Sequence, residues 1–143
     1  MRARLLSGLM LLSSMASGVM ADPARRDYIL HCSGCHGMTG KGTIAGGIPP
    51  FPDSVGKIAG SDIGRTYIVH VPGVNSAGLS AGEIADVLNY ILDQWGEGGD
   101  PRFSGHEVAE RSALPIGEVV AYRRKVVAEL SAAGIEIAEY PWP

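Results

Sequence analysis

Cys32-Ser33-Gly34-Cys35-His36 constrains this chain more than any other stretch. Two thiols stand three residues apart and a histidine follows the second directly, which is the spacing for covalent haem attachment. Each sulfur can add to one haem vinyl group and form a thioether. The residue after the second cysteine then lies under the porphyrin and offers a ring nitrogen to the iron. Cys32 and Cys35 are the only two cysteines in the 143 residues, so no other thiol competes for them. A thioredoxin-like redox pair wants a βαβ pattern around the motif, which is not visible, and it leaves His36 without a role. A structural zinc site needs four ligands, and Cys32, Cys35 and His36 supply three, two of them adjacent. A disulfide across two intervening residues closes a small, strained loop. The expected cofactor is one haem c bound through Cys32 and Cys35, with His36 as an axial ligand to the iron.

Residues 1–21 have the form of a secretory signal peptide. Arg2 and Arg4 make a basic start, Leu5 to Val19 is mostly apolar, and Val19-Met20-Ala21 is a small-x-small cleavage site. The stretch is short and serine-rich for a retained anchor, since a span needs about 20 apolar residues. Cleavage near Ala21 leaves a mature chain starting at Asp22, in the compartment where haem is joined to such motifs, so a periplasmic location is expected. After Ala21 there are ten basic and fifteen acidic residues, a formal charge of −5. With no lysine run and no basic face, nucleic acid is not an expected partner. No later segment is long enough to span a bilayer, so no stable membrane insertion is expected either.

The hydrophobic pattern predicts an all-α domain. Asp22-Pro23 reads as an N-cap with proline at the first helical position, opening a helix through Tyr28 into Cys32. From Gly34 to Gly60 the chain is rich in glycine and proline and reads as ordered loop, with the haem edge as its packing partner. Ser61 caps a short helix from Asp62 to about Val69, and Pro72-Gly73 turns the chain. Ser80-Ala81-Gly82-Glu83 is a capping box, in which serine oxygen and glutamate satisfy the first free amides. Ile84, Val87, Leu88, Ile91, Leu92 and Trp95 then recur on one helical face, and Gly96 ends that helix.

Over about Ala24 to Trp95 the chain resembles a class I c-type cytochrome. The resemblance rests on Tyr28 leading into Cys32-x-x-Cys35-His36-Gly37, on Gly40-Lys41-Gly42, on Gly47-Ile48-Pro49-Pro50, and on the final helix from Leu79 to Ile91. It implies a small fold in which Gly/Pro-rich loops wrap one covalent haem and the first and last helices cross beside it. Tyr28 and Tyr90 are the candidates for that crossing, with ordinary core aromatics as the alternative. It also implies that the Pro49 carbonyl accepts from His36 Nδ1, fixing the ring as partners of metal-bound histidines do, or that Pro50 takes this part.

The second axial ligand departs from the family pattern. Class I cytochromes usually place a methionine in the loop before the last helix, and here that loop reads Tyr67-Ile68-Val69-His70-Val71-Pro72-Gly73. No methionine follows Met38, and Met38 is only two residues past His36. Three answers stay open: His70 as the ligand, an open site with Val71 over the iron, or His106 reaching in from the C-terminal part. His70, almost in the ligand slot, is the leading expectation.

The expected organisation is a signal peptide over 1–21, a haem domain over 22–96 and a helical extension over 97–143 packed on that domain. Gly96 to Pro101 reads as a linker. Ser104-Gly105-His106-Glu107 reads as a second capping box, and a last helix runs from Gly117 to about Ala132 with Gly134 as its stop. That helix has Val119, Val120, Arg123, Val126, Val127 and Leu130 as its stripe, and Arg123-Arg124-Lys125, the sole basic cluster, reads as a solvated face of it, with a docking site as the alternative. Two such helices are short to fold alone and are expected to wrap the haem domain. The leading function is a periplasmic one-electron carrier, not an enzyme, serving a redox partner such as a dehydrogenase or oxidase that the sequence does not identify. A small-gas binder or sensor with an open sixth position, and a haem subunit of a larger oxidoreductase, are the alternatives.

Overall fold

The computed structural model describes residues 22–141, so the signal-peptide expectation lies outside the described residues. Among these residues there are eight helices and one isolated bridge. The first, α1 (Pro23–His31), starts as its sequence dictates: the Asp22 side chain accepts from the Ala24 amide, and Pro23 sits where no helical amide is needed. It runs straight into α2 (Ser33–His36), a single turn carrying the cysteine pair. Gly37, with φ +72°, closes that turn.

The Gly/Pro-rich segment folds back along this turn. The Gly42 amide donates to the His36 carbonyl at 3.0 Å, the Phe51 amide to the Gly40 carbonyl at 2.7 Å, and Thr43 pairs with Ile48. Gly40 is required here: its φ is +66°, and a Cβ would come within 2.8 Å of the Trp95 ring. The segment is not all loop. Val55, Ile58 and Ala59 are buried, and that burial winds residues 55–59 into α3 (Val55–Ala59), which composition alone does not reveal.

Next comes α4 (Asp62–His70), capped by Ser61, whose hydroxyl accepts from the Gly64 amide at 3.0 Å. Pro72 opens α5 (Pro72–Asn75), a single turn. The capping box at Ser80 and Glu83 is present in both directions and starts α6 (Ala81–Trp95). Its apolar face buries Val87, Leu88, Ile91 and Leu92 against α1 and α3. Tyr28, fully buried, lies at the crossing of α1 and α6. Its ring stands 5.5 Å from that of Tyr90 and 5.2 Å from that of Trp95, and its hydroxyl donates to the Gly37 carbonyl at 2.5 Å.

Residues beyond Trp95 pack on this frame. α7 (Gly105–Ser112) lies on α6 and α4, and α8 (Val119–Ala132) on α4 and α3. Arg65 of α4 is the knot. It holds Glu107 through both carboxylate oxygens at 2.6 Å, donates to the carbonyls of Ala59, Pro101 and Arg102, and covers the Phe103 ring at 3.8 Å. Ser104 caps α7 as expected, but Glu107 does not return to it, because both of its oxygens are taken by Arg65 and Arg111. After Gly134 the chain turns back, and the Ala138 amide donates to the Asp53 carbonyl at 3.0 Å. No helix among the described residues is long and apolar enough to cross a membrane.

Candidate haem-binding site

Cys32, Cys35 and His36 all line one cavity of about 480 Å³, a size in the range of cofactor sites. Pro49, Pro50 and Phe51 of the loop continue its wall. Ile58, Ile68, Val71 and Val74 of α3, α4 and α5, with Val119 and Val120 of α8, make the rest largely apolar. The short α1–α2 junction explains why the three motif residues meet here: one tight helical turn brings Cys32 and Cys35 to the same side and leaves His36 at its last position.

The His36 ring stacks on Phe51 at 4.0 Å between centroids and 15° between planes. Burial pushes the His36 imidazole down to about 4, and the Pro49 carbonyl pulls weakly the other way. The ring is therefore neutral near pH 7 and keeps a lone pair for a metal. The Pro49 carbonyl faces the ring but does not close a full hydrogen bond, and Nδ1 is buried without one. Burial, and then the neighbouring Cys35, push the Cys32 thiol up to about 11. A thioredoxin-like pair needs the opposite, a cysteine held in its thiolate form. Among the described residues no three His, Cys, Asp or Glu side chains converge as a metal cluster.

His70 does not reach the cavity. It is the last residue of α4, and its ring turns away, with Nδ1 2.9 Å from the Thr66 carbonyl and Nε2 2.9 Å from the Leu114 carbonyl. The slot argument fails on helix phase: α4 runs one residue further than its pattern suggests, so position 70 follows the helix and Ile68 and Val71 take the wall. His106 is further off, on the outer side of α7, with its side chain 81% exposed and 3.2 Å from Glu110.

Arg123 is the residue that sequence reasoning missed. Instead of lying on a solvated face with Arg124 and Lys125, it is 2% exposed and lines the cavity. Its Nη1 donates to the Tyr67 hydroxyl at 3.1 Å, and its guanidinium lies 4.4 Å from the Tyr140 ring centre. Nε and Nη2 are buried without a hydrogen-bond acceptor. The signal was present in the pattern, since Arg123 falls on the same α8 stripe as the buried Val126 and Leu130. Haem would bring two carboxylates, which match the two orphaned nitrogens of Arg123, and an iron that the other ring nitrogen of His36 could hold while Nδ1 faces the Pro49 carbonyl. The residues present fit the cofactor.

Two curated relatives, both named cytochrome c-552 and both from Thermus thermophilus, align with this chain. One is 31% identical over 147 positions, covering 86% of this chain and 97% of the relative. The other is 31% identical over 119 positions, covering 66% and 90%. The chain belongs to the class I c-type cytochromes. No protein-family model matches the cytochrome, and no solved structure does. Its all-α architecture agrees with the family, and its cofactor is haem c held through its two cysteines. When bound, that group supplies reversible one-electron chemistry at iron. The cytochrome is an electron carrier and not an enzyme.

Proposed function

We propose that this cytochrome is an exported, periplasmic monohaem carrier that takes single electrons from one redox protein and gives them to another. One observation carries the site: Cys32, Cys35 and a neutral His36 share one wall of a single cofactor-sized cavity. In this reading Cys32 and Cys35 form the thioethers, His36 is the axial ligand from its own side, and the Pro49 carbonyl orients it once the ring is pulled onto iron. Residues 22–96 form the haem domain, and residues 97–143 are an extension folded over it. The contacts of α7 and α8 with α4, and the place of Val119, Val120 and Arg123 on the cavity wall, support that division.

A dehydrogenase or oxidase as partner fits the surface near the motif. Cys35 is exposed, so the site reaches solvent there. Leu30 and Met38, on either side of the motif in sequence, are 67% and 56% exposed. Ile44, on the turn that leads to cavity residues Gly47 and Ile48, is 87% exposed. Exposed apolar side chains beside a redox site suit brief docking with a partner. Co-expression with the haem-attachment machinery tests the reading. It requires one covalently held haem per chain, a reversible one-electron wave and export from the cytoplasm. Loss of covalent haem in Cys32→Ala/Cys35→Ala is the matching control.

A further inference from the structure

We propose that no side chain among the described residues fills the second axial position of the ferrous iron, and that the wall of Ile68, Val71 and Val74 leaves there a site for a small neutral diatomic ligand such as carbon monoxide. The proposal rests on the haem reading above and goes beyond electron carriage. It follows from where the ligand-capable side chains stand. Met38, the one methionine among the described residues, is exposed and lies two residues past His36, outside the cavity. Both ring nitrogens of His70 lie against carbonyl oxygens, and His106 is on the outer surface with Glu110. His31 touches the cavity, but it is an exposed residue at the end of α1, directly before Cys32. Lys57 faces Glu97.

What the α4–α5 segment offers the cavity is aliphatic. Ile68 of α4, Val74 of α5 and Val71 at the joint between them line the cavity, and all three pack within or against the core. β-Branched side chains held by packing are stiff at χ1 and do not swing aside for a bulky molecule. An apolar wall also penalises a charged ligand, which would lose its water there. A stiff, apolar wall therefore favours a small neutral molecule. Tyr67 reaches the same cavity, but its hydroxyl accepts from Arg123 and phenolate oxygen is a ligand of ferric rather than ferrous iron, so the ferrous site is the one left open.

The test uses the mature haem-loaded protein, reduced with dithionite, and records absorption spectra before and after carbon monoxide. The expected result is a high-spin ferrous spectrum that shifts on adding the gas, unchanged in His70→Ala. Val71→Met supplies the missing sulfur, and it is expected to turn the spectrum low-spin and abolish the carbon monoxide response. A wild-type ferrous spectrum that is low-spin and indifferent to carbon monoxide overturns the proposal. If His70→Ala then becomes high-spin, His70 is the ligand after rearrangement of the end of α4. A chain that takes no covalent haem overturns the haem reading and this proposal together, whereas a haem-loaded, gas-indifferent protein overturns only the proposal.

Discussion

Arg123 shows how much a single side chain changes the account of this site. A guanidinium is charged at every ordinary pH, and burying one without a carboxylate is costly. Here burial is nearly complete, and the available partners are a phenol hydroxyl and two aromatic faces. These soften the cost but leave two donors aimed at no acceptor. A propionate of the bound haem would supply the missing negative charge. A fixed cation beside the haem also favours the ferrous state, which carries one positive charge less. Arg123→Gln is therefore expected to lower the reduction potential in a redox titration, while Arg123→Lys, which keeps the charge, holds most of it. An unchanged potential in Arg123→Gln would mean that the guanidinium is only a packing element. Tyr28 is a quieter case. Its hydroxyl bond to the Gly37 carbonyl closes the turn after His36, and removing it in Tyr28→Phe leaves a buried carbonyl short of a donor. The expected loss is about 1 kcal/mol in chemical denaturation.

At the scale of elements, the helix starts were legible because capping chemistry is local. Asp22, Ser61, Ser80 and Ser104 each accept from an amide two or three residues on, as their spacing implies. Ser80→Ala is expected to cost about 1 kcal/mol, read as a lower urea midpoint with an unchanged slope. The short elements were not legible. α3 and α5 hold five and four residues, too few for a period to show; α3 forms because its neighbours bury it, whereas α5 buries no residue and starts at Pro72. The same limit explains His70. A one-residue shift at a helix end turns a side chain by about 100°, and sequence alone does not fix helix ends that finely. Equally invisible was the link between α4 and α7. Glu107 lies 42 residues from Arg65, and its carboxyl is held down to about 2 by the Arg65 hydrogen bonds, with Arg111 adding to them. Its ordinary value is 4.5, so the folded chain binds its proton less tightly than the unfolded one. The stability this contributes is complete above about pH 4.5 and is lost as pH falls towards about 2. Glu107→Gln is expected to cost about 2–3 kcal/mol at pH 7. In denaturation curves taken at a series of pH values, its difference from wild type should shrink below pH 4.5.

For the whole molecule, the question is how an electron leaves a cofactor lodged among these helices. α8 and the tail cover part of the cavity with Val119, Val120, Arg123 and Tyr140, so the route out is the side where Cys35 meets solvent. Leu30, Met38 and Ile44, which flank the motif in sequence or precede cavity residues Gly47 and Ile48, are exposed, and most of the charged residues lie elsewhere along the chain. The chain after Ala21 carries a formal charge of −5, so two copies repel at long range while their apolar patches attract on contact. Electron self-exchange between oxidised and reduced copies measures this surface without knowledge of the partner. Its rate is expected to rise with ionic strength, as salt screens the repulsion. Met38→Gln with Ile44→Asn changes no charge, and it should slow self-exchange at every salt concentration by weakening the encounter itself. Line broadening in nuclear magnetic resonance spectra of mixed oxidation states gives the rate. If the double variant exchanges as fast as wild type while keeping its salt dependence, electrons leave through another face. The wall formed by the C-terminal extension would then be the next surface to vary.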